Sequence, residues 1–188
     1  MNFDILKGRK CMVWTFMGNP RMYAALKNYG DRLSQVGLFS FKVDENGTIT
    51  EQGVAISDML PYIHQWPHIT WLLTVRNDGI SSVFKALRED TNGAQNKFLT
   101  ELIRIMRKYP WCSGVDIDLE RGGDYSTHAK STTMFRNIYN AVKSYDSTKK
   151  VNICLPGMDS VNGSVGGENW CVYKDLNPYC NTAAIMSY

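Results

Sequence analysis

Long runs of any one kind are missing from this 188-residue chain. No apolar stretch approaches the roughly 20 residues that cross a bilayer, which excludes a transmembrane helix. No block of like charge exists beyond Lys7, Arg9 and Lys10. The 21 basic and 18 acidic side chains leave a net charge of +3, so nothing in the charge balance calls for nucleic acid or an anionic membrane as partner. The five cysteines (Cys11, Cys112, Cys154, Cys171, Cys180) lack Cys-x-x-Cys spacing and are odd in number, which argues against a zinc site and a full disulfide framework. Three read as small buried hydrophobes. Cys171 and Cys180 flank one polar loop, a placement compatible with a disulfide in an oxidising compartment. The nearest approach to a signal peptide, residues 11–17, contains Thr15 and runs into Gly18, Asn19 and Pro20 in place of a small-residue cleavage site, so it reads as a buried strand. No segment has low complexity and none reads as a linker.

What is present is core material. With 44% hydrophobic, 12% aromatic and 21% charged residues, the chain has the composition of one domain, or most of one. Short, nearly continuous apolar runs at residues 11–16, 36–41, 69–75, 114–119, 151–155 and 182–187 predict parallel strands covered on both faces. Helical patterns lie between them. Met22, Tyr23 and Leu26 share a face between Pro20 and Gly30, which fits Pro in the first turn and Gly past the end. Phe98, Leu99, Leu102, Ile103, Ile105, Met106 and Tyr109 form a stripe that Pro110 terminates. Met134, Phe135, Ile138, Tyr139 and Val142 form another, with Ser131, Thr132 and Thr133 as capping candidates. The Asn46-Gly47 pair within residues 43–50 predicts a small hairpin excursion. Strand–helix alternation at about thirty residues per unit means βαβ units, either in an open doubly wound sheet or in a closed (β/α)₈ barrel.

The chemistry is concentrated in residues 113–120, Ser-Gly-Val-Asp-Ile-Asp-Leu-Glu. Alternation along a strand puts Asp116, Asp118 and Glu120 on one face and Val115, Ile117 and Leu119 on the other. Three carboxyl groups in a row repel one another, and desolvation in a cleft disfavours ionising all of them, so at least one should keep a proton near neutral pH and be able to act as a general acid. A solvated acidic edge strand and a Mg²⁺ or Mn²⁺ site are the rival readings of the same row. His64 and His68 make a poor metal pair because Pro67 breaks the helix that would align them. The Gly163, Gly166 and Gly167 loop lacks the Lys-Ser/Thr of a phosphate cradle. Trp14, Trp71, Trp170 and Tyr125 are candidates for stacking on sugar faces, against core roles for each.

The segment Gly114-Val115-Asp116-Ile117-Asp118-Leu119-Glu120 resembles the fourth-strand signature DxxDxDxE of glycoside hydrolase family 18, the chitinase and endo-β-N-acetylglucosaminidase family. Met186-Ser187-Tyr188 resembles the family's sixth-strand Met-x-Tyr, and Leu72-Leu73-Thr74 its third strand, where a small hydroxyl residue supports the first acid of the triplet. Ser113 departs from the pattern, standing where the signature has its first Asp. The resemblance implies a (β/α)₈ TIM barrel of which this chain carries the first six strands, over residues 1–188. It implies cleavage of β-linked N-acetylglucosamine-containing glycan, either chitin-type or peptidoglycan, without a cofactor or metal. The Ser113 variation and the hairpin look more like bacterial cell-wall or phage-associated relatives. In the family's substrate-assisted retaining mechanism, an exception to the two-carboxylate scheme, Glu120 is the acid, Asp118 holds the acetamido N–H, Asp116 shares a proton with Asp118, and Tyr188 donates to the acetamido oxygen. Trp14, Thr74 and Met186 complete the expected substrate-binding set. A silent glycan-binding lectin on the same barrel is disfavoured because Glu120 is present. Since a closed barrel takes eight strands and typically about 250 residues, two further βα units, with an aromatic floor for the sugar, are expected beyond Tyr188.

Overall fold

The computed structural model describes residues 11–16, 18–53, 56–123, 125–157 and 170–186. Seven strands form one sheet: β1 (Met12–Thr15), β2 (Gln35–Val43), β3 (Ile49–Glu51), β4 (Thr70–Arg76), β5 (Gly114–Asp118), β6 (Lys150–Pro156) and β7 (Thr182–Met186). Six of them are parallel, in the order β1-β2-β4-β5-β6-β7, and β3 adds to β2 antiparallel as the expected hairpin. With helices along it, the sheet makes an α/β half-barrel, a partial TIM barrel. The hairpin tip is held by Asp44, whose carboxylate accepts the backbone N–H groups of Asn46 at 2.9 Å and Thr48 at 2.8 Å.

The helices are α1 (Pro20–Tyr29), α2 (Leu60–Gln65), α3 (Ser81–Glu89), α4 (Ala94–Lys108), α5 (His128–Tyr145) and α6 (Tyr173–Leu176). In α1 the Asn19 side chain accepts the Arg21 N–H at 3.0 Å, Pro20 opens the first turn and Gly30 caps the end. Phe98, Leu102, Ile105 and Met106 of α4 lie fully in the core, as do Met134, Phe135, Ile138 and Val142 of α5. Burial of each such side chain is worth roughly 1.5–3 kcal/mol. Ser131, Thr132 and Thr133 do not cap α5, which begins three residues earlier. Ser131 and Thr133 instead donate their hydroxyls back to the carbonyls of Thr127 (3.2 Å) and Ala129 (3.0 Å). In the first turn of α5, Ala129 and Lys130 are exposed and no large apolar side chain occurs, so the stripe starts after the helix does.

Burial on both faces holds for the central strands, with every residue of β5 buried, but not at the margins. β7 is alternately half-buried and exposed, and β1 is half-buried except for Thr15, because each has a sheet partner on one side only among the described residues. Trp71 (2% exposed) and Trp170 (0%) are core residues, not sugar platforms; Trp170 stacks on Phe135 at 5.5 Å. All five cysteines are free thiols, Cys171 and Cys180 included. His64 lies in α2, while His68 falls beyond the helix end, its ring against Trp66. No helix among the described residues is long and apolar enough to cross a membrane.

β5 and β6 approach closely where β5 begins. Gly114 has φ +155°, and a β-carbon there would collide with the backbone of Lys150, its partner in register. Gly114→Ala is expected to cost about 1–3 kcal/mol. A lowered denaturant midpoint with an unchanged slope of unfolding free energy against denaturant checks this.

Candidate active site

Parallel pairing sets Thr74 opposite Asp116 and Arg76 opposite Asp118 between β4 and β5. β5 ends at Asp118, so Glu120 stands just beyond the strand instead of on it. Its backbone is clamped there by the fully buried Asn77, which follows β4. Asn77 Oδ1 accepts the Glu120 N–H at 2.9 Å, and Asn77 Nδ2 donates to the Glu120 carbonyl at 2.9 Å. Asn77 was invisible to strand alternation, and its only sequence signal was its place at the C-terminal end of a predicted strand.

Asp116 is completely buried and accepts from four side chains. Trp14 Nε1 and Thr74 Oγ1 each donate to Oδ2 at 2.8 Å, while Asn152 Nδ2 (2.6 Å) and the Cys154 thiol (3.4 Å) approach Oδ1. Burial pushes its carboxyl upward in pKa, and the four donors, led by Asn152, oppose that. Thr74 therefore supports the carboxylate, and its complete burial leaves no face for a ligand. Trp14 reaches Asp116 from β1 because Gly37, its partner on β2, has no side chain. A β-carbon on Gly37 would come within 2.7 Å of both the Trp14 ring and the Thr74 hydroxyl. Asn152 and Cys154 alternate with core residues along β6, and registering that strand beside the acidic one would have found them.

Asp118 is 7% exposed, and among the described residues its Oδ1 has no hydrogen-bond partner. Burial first, then the charges of Asp116 and Glu120, push its pKa up to about 7, with the Cys154 thiol and Arg76 pulling the other way. The charges of Asp116 and Asp118 are therefore coupled. Burial and mutual repulsion work against ionising both at once, while the four donors on Asp116 favour its charged form.

Asp118 and Glu120 open into a cavity of about 250 Å³ walled by Trp14, Phe16, Phe39, Cys154 and Met186. Phe39 reaches it from β2, just before a bulge. The register passes from Phe39 opposite Thr74 to Phe41 opposite Val75, so Ser40 is the extra residue, Phe39 faces the cavity and Phe41 turns to the core against Tyr109. Phe16, half exposed, meets Phe39 at 4.8 Å, and the Arg76 guanidinium lies over the Phe39 ring at 4.6 Å. The cavity thus joins Trp14, Asp118, Glu120 and Met186, with Asp116 and Thr74 directly behind. Tyr188, the glycine loop at 163–167 and the side chain of Tyr125 lie outside the described residues. Ser113 is away from the cavity, its hydroxyl accepting the Trp71 N–H at 3.2 Å. No group of three His, Cys, Asp or Glu among the described residues is placed to hold a metal ion.

The half-barrel has the fold of solved glycosidase barrels. Solved structures of that kind superpose on the chain. A chitinase from Chromobacterium violaceum matches with a TM-score of 0.81 at 17% identity, over 95% of this chain and 56% of its own. The Bacillus cereus spore cortex-lytic enzyme SleL matches with 0.79 at 16%, over 95% and 41%. A class V chitinase from Pseudomonas fluorescens matches with 0.78 at 18%, over 94% and 53%. At such identities the likeness is one of fold, and this chain spans about half the length of each. No protein-family model and no curated protein sequence matches.

Proposed function

We propose that the protein is a glycoside hydrolase of the family 18 type that cleaves β-linked N-acetylglucosamine-containing glycan by substrate-assisted retaining catalysis. The observation that carries this reading is the buried, electrostatically coupled Asp116–Asp118 couple beside Glu120, with Asp118 and Glu120 at the wall of one cavity. The chitinase and cortex-lytic neighbours support a glycan as substrate. At about 250 Å³ the cavity falls below the ~300–1,000 Å³ typical of pockets for drug-sized ligands, a scale that suits one sugar residue, with Phe16, Phe39 and Trp14 as its apolar walls.

In this reaction Glu120 gives its proton to the departing glycosidic oxygen as the anomeric C–O bond breaks. The carbonyl oxygen of the sugar's own acetamido group bonds to the anomeric carbon, forming a cyclic oxazolinium. Asp118 Oδ1, without a partner among the described residues, accepts the acetamido N–H, and the negative charge of the Asp116–Asp118 pair stabilises the positive ring. Water then opens the ring with Glu120 as base, so the product keeps its β configuration. Tyr188 is assigned to the acetamido oxygen by its Met-x-Tyr context.

The test is hydrolysis of chitin oligomers and peptidoglycan strands alongside their de-N-acetylated counterparts. N-acetylated substrates are expected to yield β-anomeric product and to be competitively inhibited by a thiazoline mimic of the intermediate. Equal cleavage of the de-acetylated forms would overturn the mechanism.

A further inference from the structure

A polar row crosses the half-barrel behind the acids. Strand register aligns Thr74, Asp116, Asn152 and Thr182 on β4, β5, β6 and β7. Asn152 Oδ1 accepts the Thr182 hydroxyl at 2.7 Å, and Thr182 Oγ1 accepts Gln35 Nε2 from β2 at 3.5 Å. The direction of this row is determined by donor chemistry. A carbonyl and a hydroxyl 2.7 Å apart need the hydroxyl proton between them, so Thr182 donates, which holds the Asn152 carbonyl away from Asp116 and points the NH₂ at it. Asn152 is 1% exposed and Gln35 5%, and neither they nor Thr182 line the cavity.

We propose that Asn152 and Thr182 are positioning residues: the Thr182 hydroxyl locks the Asn152 amide so that Asp116 stays ionised and the proton of the acid pair resides on Asp118. Asp116 faces Trp14 from β1, Thr74 from β4, and Asn152 and Cys154 from β6. Asp118 faces Asp116, Glu120, Arg76 from β4 and Cys154 from β6. Trp14 can only donate, whereas the Asn152 amide can present either end; with Gln35 Nε2 donating to Thr182 Oγ1, the Thr182 hydroxyl turns its proton to the Asn152 carbonyl, and a flipped amide would leave that proton without its acceptor. If the amide turned its carbonyl to Asp116, that carboxyl would have to carry a proton, and Asp118 would lose its share.

The consequence for rate rests on the glycosidase reading, but the test does not need a substrate. Carboxyl ¹³C titration by NMR on the intact protein follows Asp116 and Asp118 in wild type, Thr182→Val, Thr182→Ser and Asn152→Leu. In wild type Asp118 is expected to titrate near neutrality and Asp116 at lower pH. In Thr182→Val and Asn152→Leu the Asp118 midpoint should fall by about one pH unit and that of Asp116 rise comparably, since a hydrogen bond to a charged group is being lost. Thr182→Ser should titrate as wild type. Unchanged midpoints in both disruptive variants, or a Ser variant that behaves like Val, would overturn the proposal. Should Thr182→Val fail to fold, the Asn152→Leu and Thr182→Ser titrations decide. Normal titrations in a protein that cleaves no N-acetylated glycan would sink the glycosidase reading and leave the relay standing.

Discussion

Glu120→Gln is expected to lower glycan hydrolysis by about 10²–10⁴-fold while the melting temperature and substrate affinity stay near wild type. The amide keeps the shape of the carboxyl group but has no proton to give, so the loss should fall on kcat with KM little changed. The fold should tolerate the change because both Asn77 hydrogen bonds grip the backbone of residue 120 and ignore its side chain. Steady-state kinetics on chitin oligomers, beside a thermal melt, checks both halves. Wild-type turnover by the variant would mean that the proton comes from elsewhere, and the acid row would lose its assigned role.

The parts of this molecule written as local patterns were legible in the sequence. The six parallel strands, the hairpin at Asn46-Gly47 and the stripes of α4 and α5 follow from alternation and from a period of 3.6, because one element's burial is encoded within that element. Asp116 and Asp118 were legible for the same reason, and two residues apart on a strand they share a face. What escaped depends on partners far away in sequence. Gly37 matters only because an indole from β1 crosses it, and Asn77 only because it grips Glu120 more than forty residues on. Phe39 looked like one more apolar residue of a buried strand, and only its pairing opposite Thr74, with the bulge at Ser40 turning Phe41 away, shows that it alone of the two faces the cavity. Trp71 and Trp170 went the other way, since composition alone does not distinguish an aromatic that walls a cleft from one that fills a core.

Raising the pH from about 4 to 8 is expected to weaken the fold through Asp118, and Asp118→Asn to remove that part of the dependence. In the folded protein this carboxyl titrates at about 7 against 3.8 for the ordinary group, chiefly because burial penalises its charged form. Between those two values the folded state holds a proton that the unfolded chain has released, so stability falls as pH rises, by up to about 1.4 kcal/mol per pH unit and about 4 kcal/mol in all, levelling off above neutrality. Glu51, Asp78, Glu89, Glu101 and Asp146 act with the opposite sign. Their partners hold their pKa values low, so their stabilisation is present above the ordinary carboxylate range and is lost on acidification below it. The wild-type curve alone mixes these effects with that of Asp116, whose pKa burial also raises. The difference between wild type and Asp118→Asn, taken from denaturant unfolding at each pH, isolates the one that matters. The variant should gain stability over wild type progressively between pH 4 and 7 while losing hydrolysis, the pattern of a site whose burial of charge serves catalysis at the expense of the fold. Parallel curves would show that Asp118 carries no displaced proton. If instead Asp116→Asn removed the dependence and Asp118→Asn kept it, the proton would belong to Asp116.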